Sequence, residues 1–134
     1  PQEEKVIVVL DSGIWISGFH FGGIPLAALD QAFIYDHIAI CEEIITEVST
    51  IMVSKFGWTE RHVHSALRSY LAGAKHVTMK GDLTGVRRDP KDDMLFECAV
   101  RAKAEIIVSG DKDVLEVGEY RGIRVITARQ YLTK

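Results

Sequence analysis

Cysteine is scarce: Cys41 and Cys98 are the only two in 134 residues, and they form no Cys-x-x-Cys pair. That composition argues against a disulfide-stapled domain or a cysteine-held zinc, and it fits a reducing, cytoplasmic setting. Long apolar runs are missing as well, none nearing the ~20 residues of a membrane span, so no membrane partner is expected. The opening Pro1-Gln2-Glu3-Glu4-Lys5 has neither the basic flank nor the apolar body of a signal peptide and reads as a polar lead-in. There is no Gly-x4-Gly-Lys-Ser/Thr phosphate loop and no Gly-x-Ser-x-Gly nucleophile elbow. Positive charge is not in excess: 16 Lys and Arg against 19 Asp and Glu leave a net charge of -3. The whole molecule therefore offers a polyanion no general attraction, and any nucleic-acid contact must rest on local cations or a bridging metal. Repeats, low-complexity tracts and linkers are absent too, so residues 1–134 read as a single domain with enough apolar sequence to bury a core.

What is present is an alternation of apolar strands and amphipathic helices. Val6-Ile7-Val8-Val9-Leu10 is a continuous β-branched run of the kind buried on both faces of a parallel sheet. Ser12-Gly13 turns the chain, and Ile14 to Phe19 is apolar but ambiguous, with a helical turn as one option. Pro25 to Tyr35 predicts a helix with Leu26, Leu29 and Phe33 as its apolar stripe. Asp36-His37 break it before a strand at Ile38–Cys41. The spacing of Ile44, Ile45, Val48, Ile51 and Met52 predicts a helix over 42–53 with Glu47 on the border of the stripe, facing inward. Thr59 caps a helix reaching about Ala72. A strand is expected within Ala74–Met79 and a loop over Lys80–Val86. A helix follows Asp89-Pro90 to about Lys103, burying Leu95, Phe96, Cys98, Ala99 and Ala102. Strands at Ile106–Val108 and Ile123–Ile126 and helices at Val114–Val117 and Ala128–Leu132 complete the chain. Such an order gives an α/β fold, a mainly parallel central sheet between two helical layers.

Acids fall where such a sheet binds ligands. Asp11 follows the first strand directly, Asp92 and Asp93 open the helix after Pro90, and Asp111 and Asp113 follow the strand at 106–108. Each also has a structural reading: Asp89, Asp92 and Asp93 suit a helix start, Asp111 suits a cap, Asp11 suits a turn. Gathered in one site, however, they would raise one another's pKa unless a cation compensated, and Mg²⁺ or Mn²⁺ prefers carboxylate oxygens. A carboxylate-held metal activates water and neutralises charge on a phosphodiester. Arg87, Arg88, Lys91 and Lys112 lie beside these acids as candidate phosphate contacts. Trp15, Trp58 and Cys98 read as packing residues, and His62 and His64 face different directions on a helix. A receiver-like phosphoacceptor fits poorly, because the second strand ends in Cys41-Glu42 rather than in an isolated aspartate.

The motifs together resemble the PIN-domain family. Val8 to Ser12 followed by Ile14 to Ser17 resembles its first motif, and Glu42 to Glu47 its second. Arg88-Asp89-Pro90-Lys91-Asp92-Asp93 through Ala99 resembles the third, and Ile107 to Leu115 the fourth. The pairing of RDPKDD with IVSGDKD is most similar to the VapC-like branch, the toxin components of toxin–antitoxin systems. The resemblance implies a PIN-like fold and a Mg²⁺- or Mn²⁺-dependent endoribonuclease that hydrolyses phosphodiester bonds of single-stranded RNA. It implies a catalytic, metal-binding quartet of Asp11, Glu47, Asp92 and Asp111 with carboxylates converging within a few ångströms. Asp93 is the alternate to Asp92, Asp113 an auxiliary metal ligand, and Ser12 and Ser109 supporting hydrogen-bond donors. An antitoxin partner and a homodimer or higher oligomer follow from the same resemblance. The family usually carries Asn where this chain has Gly13, and the alternative reading is a non-catalytic module of the same fold that binds RNA or protein.

Overall fold

A computed structural model of the chain describes residues 5–86 and 89–133. Among them, six strands form one sheet in the order β3-β2-β1-β4-β6-β5. Strand β1 (Ile7–Leu10) lies in the middle, between β2 (His37–Cys41) and β4 (Ile106–Val108), and β3 (Lys75–Val77) and β6 (Ile123–Ile126) extend the two sides. These five are parallel, and only β5 (Glu119–Tyr120) runs antiparallel, as a hairpin with β6. The expected mainly parallel α/β sandwich is the observed fold. The β5 hairpin was not expected: two residues carry too little periodicity to register as a strand.

The chain winds from β1 outward to β2 and β3 through α1 (Ser12–Phe21), α2 (Gly23–Tyr35), α3 (Glu42–Phe56) and α4 (Glu60–Leu71), which pack on one another. It then returns across the sheet through α5 (Pro90–Ala102), which packs on β1, β2 and β3. Because parallel crossovers are right-handed, the reversal of direction sends α5 to the opposite face. The reversal also makes the junction of β1 and β4 the topological switch point, where a crevice opens beyond the carboxyl ends of the strands. Short α6 (Lys112–Leu115) and α7 (Ala128–Leu132) follow β4 and β6.

The core is the expected set of strand residues, Val8, Val9, Ile40, Ile107 and Val108 among them, closed by Trp15, Met52, Phe96 and Tyr131. Three local expectations are corrected. The segment 14–19 is a full helix, because Ile14, Trp15 and Gly18 all face the core and the Trp15 indole N–H donates to the Leu10 carbonyl at 3.2 Å. In α2 the buried stripe is Ala28, Leu29 and Ala32, whereas Phe33 is 43% exposed: small residues let α2 lie close to α1 and α7, turning Phe33 outward. Asp36 is more than a chain break. Its buried carboxylate accepts the Tyr131 hydroxyl at 2.5 Å and the Val6 N–H at 3.3 Å, tying the end of α2 to α7 and to the start of β1.

Candidate active site

Strands β1, β4 and β6 end level with one another, since Leu10 is in register with Val108 and Val108 with Ile126. The next residue of each, Asp11, Ser109 and Thr127, therefore stands at the same edge. Backbone bonds hold the row: Asp11 N–H donates to the Val108 carbonyl at 2.9 Å and Ser109 N–H to the Ile126 carbonyl at 3.0 Å. A cavity of about 650 Å³ opens over this edge, and Asp11, Glu47, Asp92 and Asp111 all line it.

Shared serine hydroxyls link the carboxylates: Ser12 lies between Asp11 and Glu47, and Ser109 between Asp11 and the Asp111 backbone. Asp11 accepts the Ser109 hydroxyl at 2.7 Å and the Ser12 hydroxyl at 3.4 Å. Burial raises its pKa; the Ser109 bond and the Gly13 N–H pull it back, and the charges of Glu47 and Asp111 push it up again, for a net rise. Glu47 accepts the Ser12 hydroxyl on one oxygen and meets the Lys91 ammonium at 3.4 Å with the other. Asp111 accepts the Asp113 N–H at 2.8 Å and so caps α6 while facing the cavity. Burial, reinforced by the charges of Asp111, Asp89, Asp11 and Asp113, pushes Asp92 up to about 6.

Asp92 and Asp93 point to different places. Asp92 lines the cavity, but Asp93 turns to the other side of α5, where its carboxylate accepts the Gly85 and Val86 N–H groups at 3.0 and 2.8 Å. The helical rotation between neighbours produces this split. Beside it, the buried Glu97 carboxylate accepts three N–H groups of the loop, from Lys80, Gly81 and Leu83, and the Arg101 guanidinium at 2.8 Å. Burial alone would raise Glu97, yet these donors hold it down to about 2. Arg101 also grips Asp82 at 2.7 Å, so it belongs to this loop clasp.

The remaining expectations divide. Ser12 and Ser109 are both buried and donate to the cavity's acids, Ser12 to Glu47 and Ser109 to Asp11. Lys91 lies at the cavity, paired with Glu47. Asp113 and Lys112 are exposed on α6 and do not line the cavity, though the Asp113 charge reaches Asp92. Arg87 and Arg88 lie outside the described residues. The expected close convergence is not met: among the described residues, no three His, Cys, Asp or Glu side chains form a ready ligand cluster. Two charged residues of the cavity were not read as site residues in the sequence: Asp89, expected as the helix cap it also is, and Arg129 in α7. The signal for Arg129 was available, because a helix following a parallel strand begins at the same edge as the other strand ends.

The β1–β4 switch point of this α/β sheet thus opens on a cavity lined by Asp11, Glu47, Asp92 and Asp111. The family model described as PIN domain matches residues 7–113, and the chain belongs to the PIN domain family. No curated protein sequence matches the chain. Among solved structures it is similar in fold to one described as the crystal structure of VapBC2 from Rickettsia felis bound to a DNA fragment from their promoter. The two share 15% identity over 90% of this chain and 98% of that one, with a TM-score of 0.64. Among the described residues no helix is long and apolar enough to cross a membrane.

Proposed function

We propose that this chain is a divalent-metal-dependent endoribonuclease, the toxin of a toxin–antitoxin pair, hydrolysing phosphodiester bonds of single-stranded RNA in the cytoplasm. The observation that carries the reading is the common cavity of Asp11, Glu47, Asp92 and Asp111 over the β1–β4 junction of a PIN domain. The donor set suits a hard cation: every candidate ligand is a carboxylate, and the raised pKa of Asp92 marks negative charge that lacks compensation. Asp11, Glu47, Asp92 and Asp111 would hold Mg²⁺ or Mn²⁺, with Asp113 as an auxiliary acid. When bound, such a cation supplies an activated water and neutralises charge on the scissile phosphate.

The chain's own residues do the rest. Ser109 and Ser12 keep Asp11 and Glu47 aimed into the cavity, and Lys91 holds Glu47 from the rim. Lys91, Lys112 and the Arg87-Arg88 pair are the candidate RNA contacts. Residues 1–134 act as one domain in this reading. The likeness in fold to a VapBC complex supports an antitoxin partner and a homodimer or higher oligomer, as does the family's branch resembled by the RDPKDD and IVSGDKD motifs.

The test is cleavage of an end-labelled, mixed-sequence single-stranded RNA with Mg²⁺, Mn²⁺ or EDTA, with Asp111→Asn beside the wild type. Cutting that needs metal and vanishes in the variant is the expected result. RNA binding without cutting in any metal would overturn the nuclease reading in favour of a binding module.

A further inference from the structure

Among the described residues, five carboxylates line the cavity, Asp89 with the four above, against two cations, Lys91 and Arg129. An RNA strand crossing so acidic a floor must be gripped at its margins, because unscreened carboxylates repel phosphate. The two cations are not equivalent. Lys91 is engaged with Glu47 at 3.4 Å, whereas Arg129 has neither a hydrogen-bond nor an ion-pair partner among the described residues. They also stand at opposite ends of the site. The shared Ser12 hydroxyl sets Glu47, and with it Lys91, beside Asp11 beyond β1, whereas Asp111 follows β4 and Arg129 follows β6. From β1 to β6 is two strand spacings, on the order of 10 Å, room for more than one phosphate of an extended strand.

Arg129 is also held in place from below. Thr127 and Gln130 form a reciprocal capping box, with Gln130 N–H donating to the Thr127 hydroxyl at 3.1 Å and Thr127 N–H to the Gln130 side chain at 2.9 Å. The backbone carrying Arg129 is thereby fixed while its guanidinium stays exposed. Arginine's planar fork suits a phosphate.

We infer that Arg129 is a backbone anchor for RNA: it takes a phosphate at the β6 end of the cavity, so the strand runs across the strand ends from the Lys91 side to the α7 side. This inference rests on the RNA reading above.

The experiment is fluorescence anisotropy of a labelled single-stranded RNA 12-mer with the full chain in Ca²⁺ buffer, the RNA checked for integrity afterwards. It compares wild type, Arg129→Gln, Arg129→Lys and Arg68→Gln, a control that removes the same charge from the exposed end of α4, outside the cavity. We expect Arg129→Gln to weaken binding about tenfold and to lessen the slope of log K against log salt by ~0.7, one phosphate contact of a single strand. Arg129→Lys restores most of the slope, Arg68→Gln changes neither, and the melting temperature of Arg129→Gln equals that of wild type. Tight wild-type binding with Arg129→Gln indistinguishable from it overturns the anchor and leaves the RNA reading standing. Absence of wild-type binding overturns both.

Discussion

The Ser109 hydroxyl donates to the Asp11 carboxylate at 2.7 Å and at the same time accepts the Asp111 backbone N–H at 3.0 Å. One fully buried side chain thus joins the acid after β1 to the acid after β4 across the switch point. Ser109→Ala strips a donor from a buried carboxylate and leaves an N–H without its acceptor. We expect a loss of ~1–3 kcal/mol of stability, read by urea denaturation at pH 7. A midpoint unchanged from wild type would show that water replaces the hydroxyl at no cost.

The Asp92 carboxylate adds to that crowding. Its folded pKa of about 6 lies above the ordinary value of 3.8, so the native state binds more protons than the unfolded one between these values. The penalty is therefore full above about pH 6 and fades as the pH falls toward 3.8. Asp92→Asn should melt higher than wild type at pH 7.5 in EDTA, and the gain should shrink at pH 5. Adding Mn²⁺ should raise the melting temperature of wild type more than that of the variant, since ligand binding to the native state stabilises it.

Glu97 has the opposite sign. Held at about 2 against an ordinary 4.5, it contributes stability that is complete above pH 4.5 and lost as the pH falls toward 2. Glu97→Gln exchanges a carboxylate accepting four donors for an amide, at a cost of ~1–3 kcal/mol at pH 7. Hydrogen exchange should show residues 80–83 losing protection first, and the gap to wild type should narrow by pH 3. Unchanged exchange over those residues would mean the loop is held by other contacts.

Two glycines of α1 should respond oppositely to a side chain. A Cβ on Gly13 meets nothing within 4 Å, so Gly13→Ala should stabilise by ~0.5–1 kcal/mol through reduced chain entropy, and Gly13→Asn should fold normally. A Cβ on Gly18 would stand 2.8 Å from Leu29 Cδ1 and 3.3 Å from the Leu26 backbone, where α1 crosses α2. Gly18→Val should cost ~1–3 kcal/mol by overpacking. Thermal melts of the three variants decide it, and a stabilised Gly18→Val would mean that α2 shifts away freely.

The runs at 6–10 and 106–108 announced buried parallel strands because β-branched residues with no polar alternation suit a sheet covered on both faces. The acids at their ends were legible for the same reason: position after such a strand fixes which edge a residue occupies. Phe33 misled because its spacing matched a stripe whose direction depends on what α2 packs against. Residues 14–19 were ambiguous because an apolar segment buried nearly all round has no periodic contrast.

By itself, then, the sequence determined the strand and helix order, the parallel sheet and the edge that Asp11, the Asp92-Asp93 pair and Asp111 occupy, since periodicity and chain order carry that information locally; the quartet with Glu47 follows from the resemblance to the PIN-domain family. Only the tertiary structure decided which neighbour of the Asp92-Asp93 pair faces the cavity, that Lys91 pairs with Glu47, and that Arg129 lines the same cavity with no partner among the described residues. Those choices depend on helix rotation and on contacts between residues up to 98 positions apart, as between Ser109 and Asp11, and no local pattern encodes them.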